Sequence, residues 1–135
     1  MAWINPKIDW NTSDYYNIVD INRVENNTDY IADYIEIYAL RPSVSTIKTD
    51  WNNTEFPFFD ELNRIENNIE VIKNSMATPT GWTTSKVDWL SLNIFNYVDA
   101  NRLENNLSLL KTMSEAINDG FLSCGSFVCG EGTEL

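Results

Sequence analysis

One phrase occurs three times in this chain, and any fold must accommodate all three copies in the same way. Each copy holds an Asp-Trp pair, then a stretch rich in apolar and aromatic residues, then the hexad Asn-Arg-apolar-Glu-Asn-Asn. The copies run from Asp9-Trp10 to Asn22-Arg23-Val24-Glu25-Asn26-Asn27, from Asp50-Trp51 to Asn63-Arg64-Ile65-Glu66-Asn67-Asn68, and from Asp88-Trp89 to Asn101-Arg102-Leu103-Glu104-Asn105-Asn106. The Trp lies twelve residues before the first Asn in every copy, and the copies are offset by 41 and 38 residues. Repeats of that length mark supersecondary units that bury a shared core by packing against one another. An active site needs one asymmetric constellation, so a triplicated phrase points to an architectural or binding role.

Each hexad sits in a helical pattern. Ile21, Val24, Thr28, Ile31, Ile35 and Tyr38 alternate steps of three and four. So do Leu62, Ile65, Ile69, Ile72 and Met76, and again Ala100, Leu103, Leu107, Leu110 and Ile117, with Ser114 between. That spacing lays one apolar stripe along each helix. The stripes span two to three heptads, which suits a short bundle better than a rod. Asn17 and Asn96 are N-caps, with Asp20 and Asp99 three positions on in a capping-box arrangement; in the middle copy Phe58 stands there, and Thr54 with Pro57 marks the start. Pro42, Pro79 and Gly120 are the stops. The pattern predicts helices over 17–40, 57–77 and 94–119.

The segments between the helices read as extended arms. Trp3 to Trp10 matches Trp82 to Trp89 in Trp, Lys, Asp and Trp, while the middle arm has Val44 in place of the first Trp, followed by Lys48, Asp50 and Trp51. The predicted architecture is all-α. Residues 1–119 form three arm-plus-helix repeats (about 3–41, 44–79 and 82–119) packed as a short three-helix bundle, each arm lying across a helix with its Trp between helices. Residues 120–135 are apolar, Gly-rich and short of helix formers, and read as a β-like tail that needs a partner strand. Phe121, Cys124, Phe127 and Cys129 are its assembly residues, and an unpaired strand predicts a homo-oligomer.

The residues expected to clasp the repeats together are Asp9, Trp10, Asn22 and Arg23, with Asp50, Trp51, Asn63 and Arg64, and Asp88, Trp89, Asn101 and Arg102. In heptad terms the Asn and Arg fall at outward positions, where nothing requires repetition unless something touches them. The structural reading pairs each Arg with the Asp of an Asp-Trp arm or with a nearby carbonyl, and lets the Asn side chains satisfy arm backbone. The acids at Asp20, Glu61 and Asp99, three residues before each Arg, add helical pairs. The functional reading makes the same residues three polar-aromatic ligand pockets. Trp with Asn, Asp and Arg suits a sugar, although a Trp at fixed spacing from an amphipathic helix is also a core anchor.

Composition removes other classes. A net charge of −11 disfavours nucleic acid and anionic membrane surfaces as partners. With no His there is no His-based triad and no His-containing zinc site, and Cys124 and Cys129 cannot complete a four-ligand zinc site without a second chain. Those two cysteines are read as small apolar residues in a strand, or as an interchain disulfide or metal site at an oligomer axis. No Ca-binding loop is present, and three equivalent carboxylates each with an Arg close in sequence read as ion pairs rather than a hydrolytic pair. No catalytic residue, metal or cofactor is expected. The N-terminal residues carry no signal-peptide pattern, which places assembly in a cytoplasm, and no apolar run reaches the roughly 20 residues of a membrane span.

The Lys-x-Asp-Trp arm, the following Asp-x-Asn-Arg-apolar-Glu-Asn-Asn, and the ending Ser123-Cys124-Gly125-Ser126-Phe127-Val128-Cys129-Gly130-Glu131 resemble a repeat in small structural proteins of phages and prophages of Gram-positive gut bacteria. Those proteins are encoded in or beside tail, baseplate or fibre genes. The resemblance covers nearly the whole chain and carries no catalytic residues. It implies a virion component, present in several copies and assembled in the host cytoplasm, that docks other virion structural proteins or the host surface. A module binding a host-surface or cell-wall glycan is the alternative. The middle copy departs from the pattern at Val44 and Phe58.

Overall fold

The structure is a computed structural model that describes residues 2–36, 44–52, 54 and 59–126, with side chains described as far as residue 117. Three helices account for the regular structure: α1 (Ile18–Glu36), α2 (Phe59–Ser75) and α3 (Tyr97–Ser126). All three pack against one another, giving the all-α bundle that the apolar stripes predict. No strand occurs among the described residues, and no helix there is long and apolar enough to cross a membrane.

The stripes form the core. Ile21, Val24, Ile31 and Ile35 of α1 meet Ile65, Ile69 and Ile72 of α2 and Leu103, Leu107 and Leu110 of α3, each almost fully buried. Thr28 and Ser114, the polar members of the stripes, are buried too. Each satisfies its hydroxyl on its own helix, Thr28 on the Val24 carbonyl at 2.8 Å and Ser114 on the Lys111 carbonyl at 2.8 Å. Tyr38, Pro42 and Phe58 lie outside the described residues.

The caps behave as their chemistry requires. Asn96 accepts from the Val98 amide at 2.9 Å, and its own amide donates to Asp99 at 3.0 Å. The Asn17 amide likewise donates to Asp20 at 2.7 Å. At the other end of α3 the structure departs from expectation. The helix does not stop at Gly120 but runs unbroken to Ser126, so Phe121 and Cys124 are helical rather than part of a β-like tail. The reason is propagation: a formed helix gains one hydrogen bond per added residue, while an interior Gly costs only about 1 kcal/mol. Residues 127–135, with Phe127 and Cys129, lie outside the described residues.

The helices run parallel. Arg23 of α1 meets Glu104 of α3, and one turn or two further on Trp3 touches both Tyr30 of α1 and Lys111 of α3, so the two helices advance together. Equivalent contacts tie α2 to α3 through Arg102 with Glu66 and through Trp82 over Lys73. The result is a pseudo-threefold prism. Its grooves are filled by the arms, in which residues 3–10, 44–51 and 82–89 repeat one pattern of burial and exposure, ending each time on a buried Trp.

The middle arm's Val44 has its counterpart in the helix beside it. Trp3 and Trp82 each carry a Lys ammonium over the ring, Lys111 at 5.4 Å and Lys73 at 5.7 Å. The same repeat position on α1 is Ala32, fully buried. Where the large ring is missing, so is the cation that covers it. Val44→Trp and Ala32→Lys should therefore each destabilise alone by overpacking or a stranded charge. Together they should show a favourable coupling of about 0.5–1 kcal/mol in a denaturant double-mutant cycle.

Candidate functional site

The hexad divides between two grooves. At about 100° per residue, Asn22 and Glu25 lie about 60° apart on one flank of α1, and Arg23 and Asn27 about 40° apart on the other. The first pair holds the next repeat's arm, and the second reaches towards the previous helix and its own arm. The same division holds in all three copies.

The Glu is the centre of each clasp. Glu25 accepts both terminal nitrogens of Arg64 at 2.8 Å, the Trp51 indole N–H at 2.6 Å and the Lys48 amide at 3.1 Å. Glu66 accepts the Arg102 Nε–H at 3.1 Å and its Nη2, the Trp89 indole at 2.8 Å and the Lys86 amide at 3.0 Å. Glu104 accepts the Arg23 Nε–H at 2.7 Å and its Nη2, together with the Trp10 indole at 3.1 Å. The order is cyclic: α1 receives from repeat two, α2 from repeat three, and α3 from repeat one. All three carboxylates are buried, with none more than 2% exposed.

The asparagines stand in for a neighbouring strand. Asn22 accepts the Trp51 amide at 2.9 Å and donates to its carbonyl at 3.1 Å. Asn63 does the same for Trp89 and Asn101 for Trp10. The last Asn of each hexad makes the same reciprocal pair at the start of its own arm: Asn27 with Ile4, Asn68 with Ser45, Asn106 with Thr83. Extended backbone with no sheet partner is thereby satisfied by side-chain amides. The central Asn is spent less uniformly; Asn26 donates to the Ala2 carbonyl at 2.7 Å, whereas Asn67 is exposed.

The aspartates of the Asp-Trp pairs are not the arginines' partners, which corrects the sequence-based expectation. Asp9, Asp50 and Asp88 are exposed, and each binds the Lys two residues before it at 3.0, 2.9 and 3.1 Å. Alternation along an extended arm puts the two on one side. Each Lys also lies 5.1–5.2 Å from the centre of the Trp ring that follows. The lysine holds Asp9 and Asp50 below the usual carboxylate range. Of the carbonyl partners expected for Arg, one appears: Arg64 donates to Thr46 O at 2.6 Å. The helical acids Asp20, Glu61 and Asp99 do pair with Arg23, Arg64 and Arg102, at 3.0, 2.7 and 2.7 Å. Hydrogen bonds donated to the carboxylates raise Arg23 and Arg64, Glu104 acting first on Arg23 and Glu25 first on Arg64.

Sequence reasoning reads Glu25, Glu66 and Glu104, like the three Asp, as halves of ion pairs, but misses that each is the buried centre of a clasp whose donors come from another repeat. The available signal was that the Lys-x-Asp spacing had already committed each Asp, leaving the repeated Glu as the carboxylate without a partner.

Chemically, these groups are occupied. Trp10, Trp51 and Trp89 are buried with their N–H groups bonded, so none offers a face to a sugar. Among the described residues no three Cys, Asp or Glu side chains gather as a metal site would need. Among the described residues two buried hydroxyls, those of Tyr16 and Ser85, have no partner. Burial, then the negative charge of Glu104 and Asp20, pushes the Tyr16 hydroxyl well above the usual tyrosine range.

Glu66→Gln should cost about 3–5 kcal/mol in denaturant unfolding, because it removes the buried charge that meets Arg102; Glu61→Gln, whose carboxylate is 37% exposed, should cost under about 1 kcal/mol. Equal losses would remove the Glu from the centre of the clasp. Tyr16→Phe should raise Tm, since it deletes a buried hydroxyl that has no partner.

No family model, curated protein or solved structure matches this chain.

Proposed function

We propose that this chain is a non-enzymatic structural component of a phage virion, part of a tail, baseplate or fibre, that docks other structural proteins. The observation that carries the reading is the closed ring of clasps. The repeated Asn, Arg and Glu, which a sequence motif would offer as a site, are consumed in holding three repeats together. What remains for function is a shape: a parallel three-helix prism with pseudo-threefold symmetry, longer on one side where α3 continues to Ser126. The resemblance of the repeat to phage structural proteins supports the same reading.

The prism also offers a face for docking. Tyr15, Val19, Leu92, Ile94 and Val98 are all more than half exposed and lie before or within the first turn of α1 and α3, at the end where the parallel helices begin. Apolar side chains gathered at one end of an otherwise acidic protein suit burial against another protein.

Particles from a lysogen carrying the gene provide the test. Gradient-purified virions should contain the chain in several copies per particle by quantitative mass spectrometry, and antibody against it should label one structure in electron micrographs. A chain left wholly in the soluble lysate would overturn the proposal.

A further inference from the structure

One stripe position, three residues before the apolar residue of each hexad, differs in size between the helices. Ile21 and Leu62 fill that position in the first two helices, whereas α3 has Ala100. Beside Ala100, where the loop after Trp10 meets the start of α3, lies a half-open groove of about 380 Å³. Its volume is within the range of small-ligand sites. It lies at the one junction whose Trp comes from the far end of the chain.

We infer that this groove is a binding site for a neutral saccharide. Aromatic rings line it: Trp10, Tyr16 and Phe95 pack in a chain with centroids 5.1 and 4.9 Å apart. Tyr15 and Tyr97 belong to the same lining but are 86% and 41% exposed, so their apolar faces are open to a ring laid against them.

The polar lining supplies both donors and acceptors. The amide oxygen of Asn11 is taken by Ser13 and that of Asn96 by Val98, which leaves their NH₂ groups to donate. Thr12 adds a hydroxyl. Asp14 accepts the Asn11 amide on one oxygen, and the other remains to accept. Sugar hydroxyls need this mixture, since each both gives and receives a hydrogen bond.

Charge selects against anions. Asp14 is the carboxylate in the lining, and its charge is met only in part, because Lys7 lies 3.5 Å from it and 3.0 Å from Asp9. The protein's net charge of −11 repels anions. The site differs from the Trp-platform reading of the sequence, because its open rings are tyrosines. It shares Tyr15 with the docking face proposed above, so its test uses the free chain.

The test uses the full ¹⁵N-labelled chain, titrated with glucose, galactose, N-acetylglucosamine and their β-linked disaccharides, with choline and N-acetylneuraminic acid as charged controls. At least one neutral sugar should shift the amides of Tyr15, Asn96 and Tyr97 at millimolar concentration. Tyr15→Ala, at an exposed position, should weaken that binding severalfold without lowering Tm. Ala100→Leu should abolish it while the chain stays folded. No shift with any sugar, tighter binding of either control, or undiminished binding by both variants would overturn the inference. Sedimentation with insoluble cell-wall polysaccharide identifies the source: binding competed by the free sugar assigns a surface polymer, and sugar binding without sedimentation assigns a soluble saccharide, each consistent with the site.

Discussion

A carboxylate buried in an apolar core is sustainable only when its charge is met and its lone pairs are filled. This chain contains three such groups, Glu25, Glu66 and Glu104, and each is met by donors from a different repeat: a guanidinium on a neighbouring helix and an indole at the end of an arm. No repeat can satisfy its own Glu. A helix folded alone would leave the acid unpaired in the apolar stripe and its Arg with only the acid one turn before it. The clasp therefore makes folding of the three repeats interdependent, beyond what burial of Ile and Leu would require.

The direction of the clasp matters as much as its strength. Open solenoids pass contacts from each repeat to the next and need special caps at the ends. Here the last Glu is satisfied by the first repeat, through Arg23 and Trp10, so the ends close on each other. Closure fixes the number of repeats. With parallel helices, each return to the start of the next helix needs an extended segment, and that segment fills a groove. Its backbone would normally be satisfied in a sheet. Paired Asn amides take that role at both ends of each arm, and this explains why the hexad contains asparagine at positions where a solvent-facing helix would accept almost any polar residue.

The helices, their stripes and their caps were legible in the sequence because they rest on local rules: a 3.6-residue period and an oxygen-bearing residue before the first turn. The partners were less legible. Arg23, Arg64 and Arg102 were assigned to the arm aspartates because both were repeated and oppositely charged, but partnership depends on which flank of which helix faces which groove. Glu25 is carried fully inside by contacts that come from another repeat, the Trp51 indole and the Arg64 guanidinium. The end of α3 was misread for a related reason. Gly120 has the identity of a stop, but identity alone does not end a helix whose next residues can keep hydrogen-bonding along it.

Repetition also separates what the fold demands from what it does not. Most positions kept in all three copies are those the clasp uses; the central Asn of the hexad is the exception, bonded to the arm at Asn26 and exposed at Asn67. Positions that differ are free of that demand, and they are where a pseudo-symmetric scaffold can become asymmetric. The change from Trp to Val44 is absorbed locally, since Ala32 replaces the covering Lys and the core remains filled. The change to Ala100 goes with a half-open groove beside it, lined by the contacting rings of Trp10, Tyr16 and Phe95. A truncated stripe residue weakens packing with no return to stability. The small residue therefore departs from the stabilising choice at one copy of a repeated position, and that place is where a ligand can be held without disturbing any clasp.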